Sequence, residues 1–262
     1  MPETKQEEML LKKEGAIATL IFNRPEKRNA LTHNMWKTLP ELIKDVETDD
    51  TIKVLVIKGA DETSFAAGAD ISEFNTLRST AEGAKKYNDA AQESEAALEK
   101  LSKPTIAMIQ KHCVGGGLEI ALACDFRFTS ETGIFGITPA KLGIIYNLAG
   151  TKSLVDLVGP ARAKDILFSG RLLDAQEAFQ IGLVERVYSE AEIEEKTYEY
   201  AKLLASRAQN SIKGLKRVIS EVVYGATEES EEIAEMILQS FESSEYKEGI
   251  KAFQEKRKPD FQ

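Results

Sequence analysis

Histidine, cysteine and tryptophan are all scarce: the 262 residues include two His, two Cys and one Trp. Two cysteines, Cys113 and Cys124, both in apolar surroundings, cannot staple a small secreted module and read as buried free thiols of a reducing compartment. Two histidines, His33 and His112, are few for a metal centre. His112 adjoins Cys113, but neighbours on a strand point to opposite sides and no further ligand follows at a metal spacing. No apolar run approaches the roughly 20 residues of a membrane-spanning helix. Basic residues are also short, 34 Lys and Arg against 43 Asp and Glu for a net charge of −9, which argues against a nucleic-acid or membrane-surface protein. The opening "MPETKQEEMLLKKEG" is polar and acidic, unlike a signal peptide, and a soluble cytoplasmic protein is expected.

What is present is an alternation of strands and helices. "AIATLIFN" (16–23), "IKVLVIKG" (52–59) and "TIAMIQ" (105–110) read as strands, and "FRFTS" (126–130) as another. Leu31, Met35, Leu39, Leu42, Ile43 and Val46 recur at helical spacing behind Thr32 as N-cap, with Pro40 expected to kink the helix. A long polar helix is expected from Thr80 to Leu101. This pattern predicts an α/β architecture with short parallel strands. Beyond about residue 200 come helical segments without strands, so 1–200 reads as the α/β core and 201–262 as a helical C-terminal region.

Two loops share one design, a buried strand, a run of very small residues, then a helix. They are Ala66-Ala67-Gly68-Ala69-Asp70 and Gly115-Gly116-Gly117-Leu118-Glu119. Small residues admit a ligand close to the backbone, and a helix start leaves N–H groups without intrahelical partners. Facing each other, such loops could aim two N–H donors at one oxygen, an oxyanion hole. Either loop alone would be read as tight helix–strand packing, and the spacing is neither the dinucleotide fingerprint nor the P-loop.

The pair, "SFAAGADISEF" followed by "SKPTIAMIQKHCVGGGLEIALACDFRF", resembles the crotonase (enoyl-CoA hydratase/isomerase) superfamily. "IFNRPEKRNALT", "LFSGRLLDAQEAFQIGLVERV" and "EGIKAFQEKRKPDF" extend the resemblance over nearly the whole chain. It implies a crotonase-like spiral of ββα units, a C-terminal helical trimerisation region in a homotrimer or dimer of trimers, and an acyl-CoA thioester substrate with no separate cofactor and no metal. Carried over, the N–H groups of Ala69 and Gly116 would bind the thioester oxygen, each donor contributing about 2.7–4 kcal/mol to the transition state by analogy with other oxyanion holes. Ala67, Asp70, Ile71 and Pro139 would lie along the substrate. Lys27, Arg28 and Lys256 would meet CoA, and Phe253 the acyl group, the tail coming from a neighbouring subunit.

Hydratases of this family set two glutamates around one water. The first falls on Glu119, and the second on Pro139, which has neither a proton to give nor a basic site. Two-carboxylate hydration is therefore expected to be disabled. The surrounding loop "FGITPAKLGIIYNLAG" (135–150) resembles instead the methylmalonyl-CoA decarboxylase branch, in which a tyrosine falls on Tyr146. Decarboxylation or isomerisation is favoured over standard hydration; slow hydration by Glu119 alone and non-catalytic acyl-CoA binding are the alternatives.

Overall fold

Gly15, at φ +57°, opens a two-residue turn that an L side chain would strain, and it folds the N-terminal segment back as a hairpin. The hairpin joins β1 (Met9–Glu14) to β2 (Ile17–Phe22). β1 is missed by the sequence reading because only Met9 of it is buried; its Lys-Lys-Glu end faces solvent, as suits an edge strand. The computed structural model describes residues 7–261.

Helix α1 (His33–Thr48) is capped by the Thr32 side chain, which accepts from the Met35 N–H at 3.1 Å. It runs on through Pro40 without a break, so the expected kink does not interrupt it. β3 (Val54–Gly59) and the short β4 (Ser64–Ala66) come next, then α2 (Phe74–Leu77) and α3 (Ala81–Lys100), the last capped by Thr80. The pattern repeats as β5 (Thr105–Ile109), β6 (His112–Val114) and α4 (Gly116–Ala123). A further turn is β7 (Phe126–Ser130), β8 (Ile134–Gly136) and α5 (Leu148–Ser169), the helix broken at Gly159-Pro160. β9 (Leu173–Asp174), α6 (Ala175–Gln180) and β10 (Arg186–Tyr188) close the spiral.

The pairs β3/β4, β5/β6 and β7/β8 each place one strand in a larger sheet of order β1-β2-β3-β5-β7-β10 and the next in a smaller sheet of order β4-β6-β8-β9. All pairings within β2-β3-β5-β7-β10 are parallel. Strands buried on both faces explain the nearly unbroken apolar runs of β2, β3 and β5. This is a spiral of ββα units, as the resemblance implies.

The main core lies between the sheets and helices α1, α3, α4 and α5, around Phe22, Leu31, Trp36, Phe65 and Phe135. A second cluster packs α7 (Ile193–Ala205) on the outer face of the larger sheet through Ile193 and Ala201 against Val54, Ile106 and Phe128. Helix α7 therefore crosses residue 200 while covering the sheet. The helices that stand clear of it are α8 (Gln209–Val223), α9 (Glu231–Ser240) and α10 (Ser244–Gln254). Lys216 of α8 ties them back, pairing with Asp125 at 2.8 Å and donating to the Lys103 carbonyl at 3.1 Å. Cys113 and Cys124 are buried free thiols whose pKa values burial pushes up, Cys124 to about 12. No helix among the described residues is long and apolar enough to cross a membrane.

Candidate active site

The turn after β2 braces the first small-residue loop. Arg28 and Asn29 both take left-handed φ, and the Asn29 side chain locks the turn by accepting from the Arg24 N–H at 2.9 Å and donating to the Ser64 carbonyl at 2.7 Å. The Arg28 carbonyl accepts from the Ala67 N–H at 3.0 Å, and Arg24 pairs with Asp70 at 2.9 Å. Asp70 also accepts from the Ser72 N–H and hydroxyl, and these partners outweigh burial to hold its carboxyl below the usual range. The Asp70 side chain is thus engaged within the protein and braces the loop.

The two small-residue loops meet backbone to backbone. Gly68 has φ +99° and Gly115 φ +52°, and a Cβ on Gly68 would lie 3.1 Å from the Val114 carbonyl oxygen. A Cβ on Gly117 would lie 2.4 Å from the Ala66 carbonyl oxygen, so this glycine does serve the close packing of α4 on β4. Past the small residues the two loops diverge. Gly116 begins the eight-residue α4, but Ala69 leads into a 3-10 turn at Ile71–Glu73 and the one-turn α2 rather than a full helix. Ala69 owes its free donor to a one-sided parallel bridge instead. Leu31 bonds to Gly68 and Asp70 on either side, and the Ala69 N–H turns away from that bridge. Neither the Ala69 nor the Gly116 N–H has a hydrogen-bond partner among the described residues.

Both residues line a cavity of about 190 Å³. Ala67, Ile71, Pro139 and Tyr146 also line it, and Glu119 is the only carboxylate that does so among the described residues. Lys27, Arg28, Phe253 and Lys256 are not part of this lining; all four side chains are exposed. Trp36 forms part of the floor, its Nε1 donating to the Tyr87 hydroxyl at 3.0 Å. That hydroxyl in turn donates to the Leu31 carbonyl, and burial pushes its pKa up to about 12.

Glu119 projects from the first turns of α4. Burial raises its pKa above the ordinary glutamate value, partly opposed by the Tyr146 hydroxyl and the Arg78 charge. Asn147, the N-cap of α5, accepts from the Gly150 N–H at 2.7 Å and offers its Nδ2 to Glu119 Oε1 at 3.4 Å. The Tyr146 hydroxyl is buried beside Glu119 without a hydrogen bond of standard geometry, and burial with the neighbouring carboxylate keeps it protonated. Gly150 makes room for this tyrosine, since a Cβ there would lie 2.9 Å from its ring.

Sequence reasoning missed a second glutamate. Glu95 of α3 is 5% exposed, its Oε1 has no partner, and burial, with Glu119 and Glu99 adding to it, pushes its pKa up to about 9. The signal was present: Tyr87, Ala91, Ser94, Glu95 and Leu98 form the buried stripe of a helix that otherwise reads as polar. The folded chain keeps this proton from pH 4.5, where an unfolded glutamate loses it, to about pH 9. Folding stability should therefore fall as pH rises across that window. Glu95→Gln should flatten the decline in melting temperature between pH 5 and 9. A parallel decline in both proteins would show that Glu95 ionises freely.

A family model described as enoyl-CoA hydratase/isomerase matches residues 12–262. The short-chain-enoyl-CoA hydratase of Clostridium acetobutylicum is 35% identical over 255 residues, 95% of either chain. The crotonyl-CoA hydratase of Syntrophomonas wolfei is 33% identical over 256 residues, 97% of this chain and 98% of its own. The crystal structure of an enoyl-CoA hydratase/carnithine racemase from Magnetospirillum magneticum superposes with a TM-score of 0.94 at 36% identity, over 98% of this chain and 96% of that one. Matched along its length by sequence and by fold, this chain belongs to the enoyl-CoA hydratase/isomerase family.

Proposed function

We propose that this protein holds an acyl-CoA thioester with its carbonyl oxygen between the N–H groups of Ala69 and Gly116, and that Glu119 moves a proton to and from the enolate formed there. The reading is isomerase-type chemistry. A single observation carries it: Glu119 is the only carboxylate of the cavity among the described residues, while Pro139, where the resemblance puts the second glutamate of hydratases, lines the same cavity.

Glu119 as carboxylate removes a proton from the carbon next to a double bond. The developing oxyanion is met by two N–H dipoles already in place, and Glu119 returns the proton at the other end of the conjugated system. Burial suits this use, because it brings the carboxylate's pKa closer to that of a working base at neutral pH. Lys27 and Arg28, exposed beside the site loop, would face the CoA phosphates. No cofactor beyond the substrate's own CoA is invoked.

Decarboxylation of a malonyl-type thioester is the second reading, favoured by the buried Tyr146 hydroxyl beside Glu119 and by the loop's likeness to the methylmalonyl-CoA decarboxylase branch. Hydration by Glu119 alone agrees with the names of the relatives. A mass-spectrometric competition in D₂O among 3-butenoyl-CoA, crotonyl-CoA and methylmalonyl-CoA separates these. Conversion of 3-butenoyl-CoA to its conjugated isomer, seen as new ultraviolet absorbance without gain of water, is the expected result. Gain of water alone would return the hydratase reading, and loss of carbon dioxide alone would select the second.

The C-terminal helices support a trimeric assembly. Leu215, Ile219 and Val222 of α8 are exposed, as are Leu238 and Phe241 at the end of α9. So large an apolar face on one chain is expected to be covered by other copies. Light scattering should give three or six times the 29.0 kDa chain mass, and Ile219→Glu with Val222→Glu should lower it. A monomeric wild-type protein would rule the assembly out.

A further inference from the structure

Arg78 is the only cation lining the cavity among the described residues, and it has no carboxylate partner there. Its guanidinium lies over two aromatic faces, 4.5 Å from the centroid of Phe74 and 4.9 Å from that of Tyr87. Arg24, Arg127 and Arg171 instead each pair with a carboxylate of this chain. The nearby Glu73 is engaged elsewhere, accepting from the His33 N–H at 2.8 Å. The two rings hold the charge by cation–π contact without taking up its N–H donors, which stay available as a fork for a carboxylate of a ligand. The charge is felt by Glu119, whose pKa it lowers, so the two groups face one cavity. Trp36, Tyr87 and Ala91 line the space around them, whereas Lys27 and Arg28 do not.

We infer that the acyl group of the substrate carries a second carboxylate at its far end, seated on Arg78; the substrate is a half-thioester of a short dicarboxylic acid. The inference rests on the acyl-CoA reading above and adds the acyl class to it. It also bears on the reaction. An ion pair stabilises the carboxylate that it holds, so the group on Arg78 is one that the reaction keeps, and proton transfer on the carbons between it and the thioester is the chemistry that remains. Arg78 lines the same cavity as Ala69, Gly116 and Glu119, which keeps the acyl chain between thioester and carboxylate short.

The protein's single tryptophan, Trp36, lies in the cavity wall, so its fluorescence reports occupancy without turnover. Wild type, Arg78→Met and Arg78→Lys would be titrated with glutaryl-CoA, butyryl-CoA and free CoA. Wild type should bind glutaryl-CoA about tenfold or more tightly than butyryl-CoA. Arg78→Met should bring glutaryl-CoA to the butyryl-CoA level while leaving butyryl-CoA and free CoA unchanged. Arg78→Lys, which keeps the charge but loses the fork, should retain part of the preference. Equal affinity of wild type for the two thioesters overturns the inference and leaves the acyl-CoA reading intact. So does an equal weakening of all three ligands in Arg78→Met, which would place the cation on a CoA phosphate. Failure of wild type to bind any of the three overturns the acyl-CoA reading and the inference with it. Far-ultraviolet circular dichroism of each variant confirms that the fold is kept.

Discussion

Glu119→Gln is expected to abolish isomerisation, lowering kcat by about 10³–10⁴, the upper part of the range for a positioned acid–base group. The amide fills the same space and can still meet Asn147, whose Nδ2 lies 3.4 Å from Glu119 Oε1, but it cannot take up a proton. No other carboxylate lines the cavity among the described residues to replace it. Glu95, buried behind it and protonated below about pH 9, is a poor base at neutral pH. Substrate affinity should change little, because the thioester oxygen is assigned to the Ala69 and Gly116 N–H groups, which the substitution leaves in place. In the wild type the acid limb of the pH–rate profile should fall above the ordinary glutamate value of 4.5, in the direction burial moves Glu119. Any decarboxylase activity should survive the substitution within about tenfold, since loss of carbon dioxide needs the oxyanion hole but no base. Rates of double-bond shift and of carbon dioxide release, measured on one folded preparation, test this division. Equal loss of both would defeat it.

Gly117→Ala is expected to damage both the fold and the donor pair. Its Cβ would lie 2.4 Å from the Ala66 carbonyl oxygen and 2.7 Å from the Ala66 Cβ, and neither can swing aside because Ala66 is held in β4. Overpacking of this kind costs about 1–3 kcal/mol. Ala66 leads directly into the loop bearing Ala69, so α4 can accept the methyl group only by moving apart the two donors of the proposed hole. Activity should then fall by more than the stability loss accounts for at a temperature where the variant is folded. Gly214→Ala is the control. It lies within α8 with Met236 no closer than 3.7 Å, and it should be neutral or stabilising by up to about 1 kcal/mol. Thermal melts of both variants decide the point; a Gly117→Ala melt matching the wild type would mean that α4 is looser on β4 than this packing implies.

The main strands β2, β3, β5 and β7, helices α1 and α3, the Thr32 cap, and the loops holding Ala69, Gly116 and Glu119 were legible because each depends on residues close together in the chain. β1 was not, since a strand with one buried residue leaves almost no hydrophobic pattern. The second sheet was hidden for a related reason: β4, β6 and β8 are three residues each, too short for a period to register. Glu95 was obscured by composition, a carboxylate on the buried stripe of a helix rich in exposed charge. The Arg24–Asp70 brace joins residues 46 positions apart, which only the folded spiral brings together. Asn147 combines a local role as cap, readable in principle from its place before α5, with a contact to Glu119 28 positions away, which is not.

The strand order β2-β3-β5-β7-β10 follows chain order throughout, so every turn of the spiral borders only the turn made before it and the one made after. Structures of this kind behave as short one-dimensional stacks, in which a layer is stabilised by its immediate neighbours. Ala69 belongs to the layer of β3 and β4 and Gly116 to the layer of β5 and β6. The donor pair is therefore a property of a seam between two layers and of neither alone. During synthesis the first layer would present a lone N–H until its neighbour has stacked. In the finished protein, a local opening of that seam would extinguish activity well before the sheets lose their order.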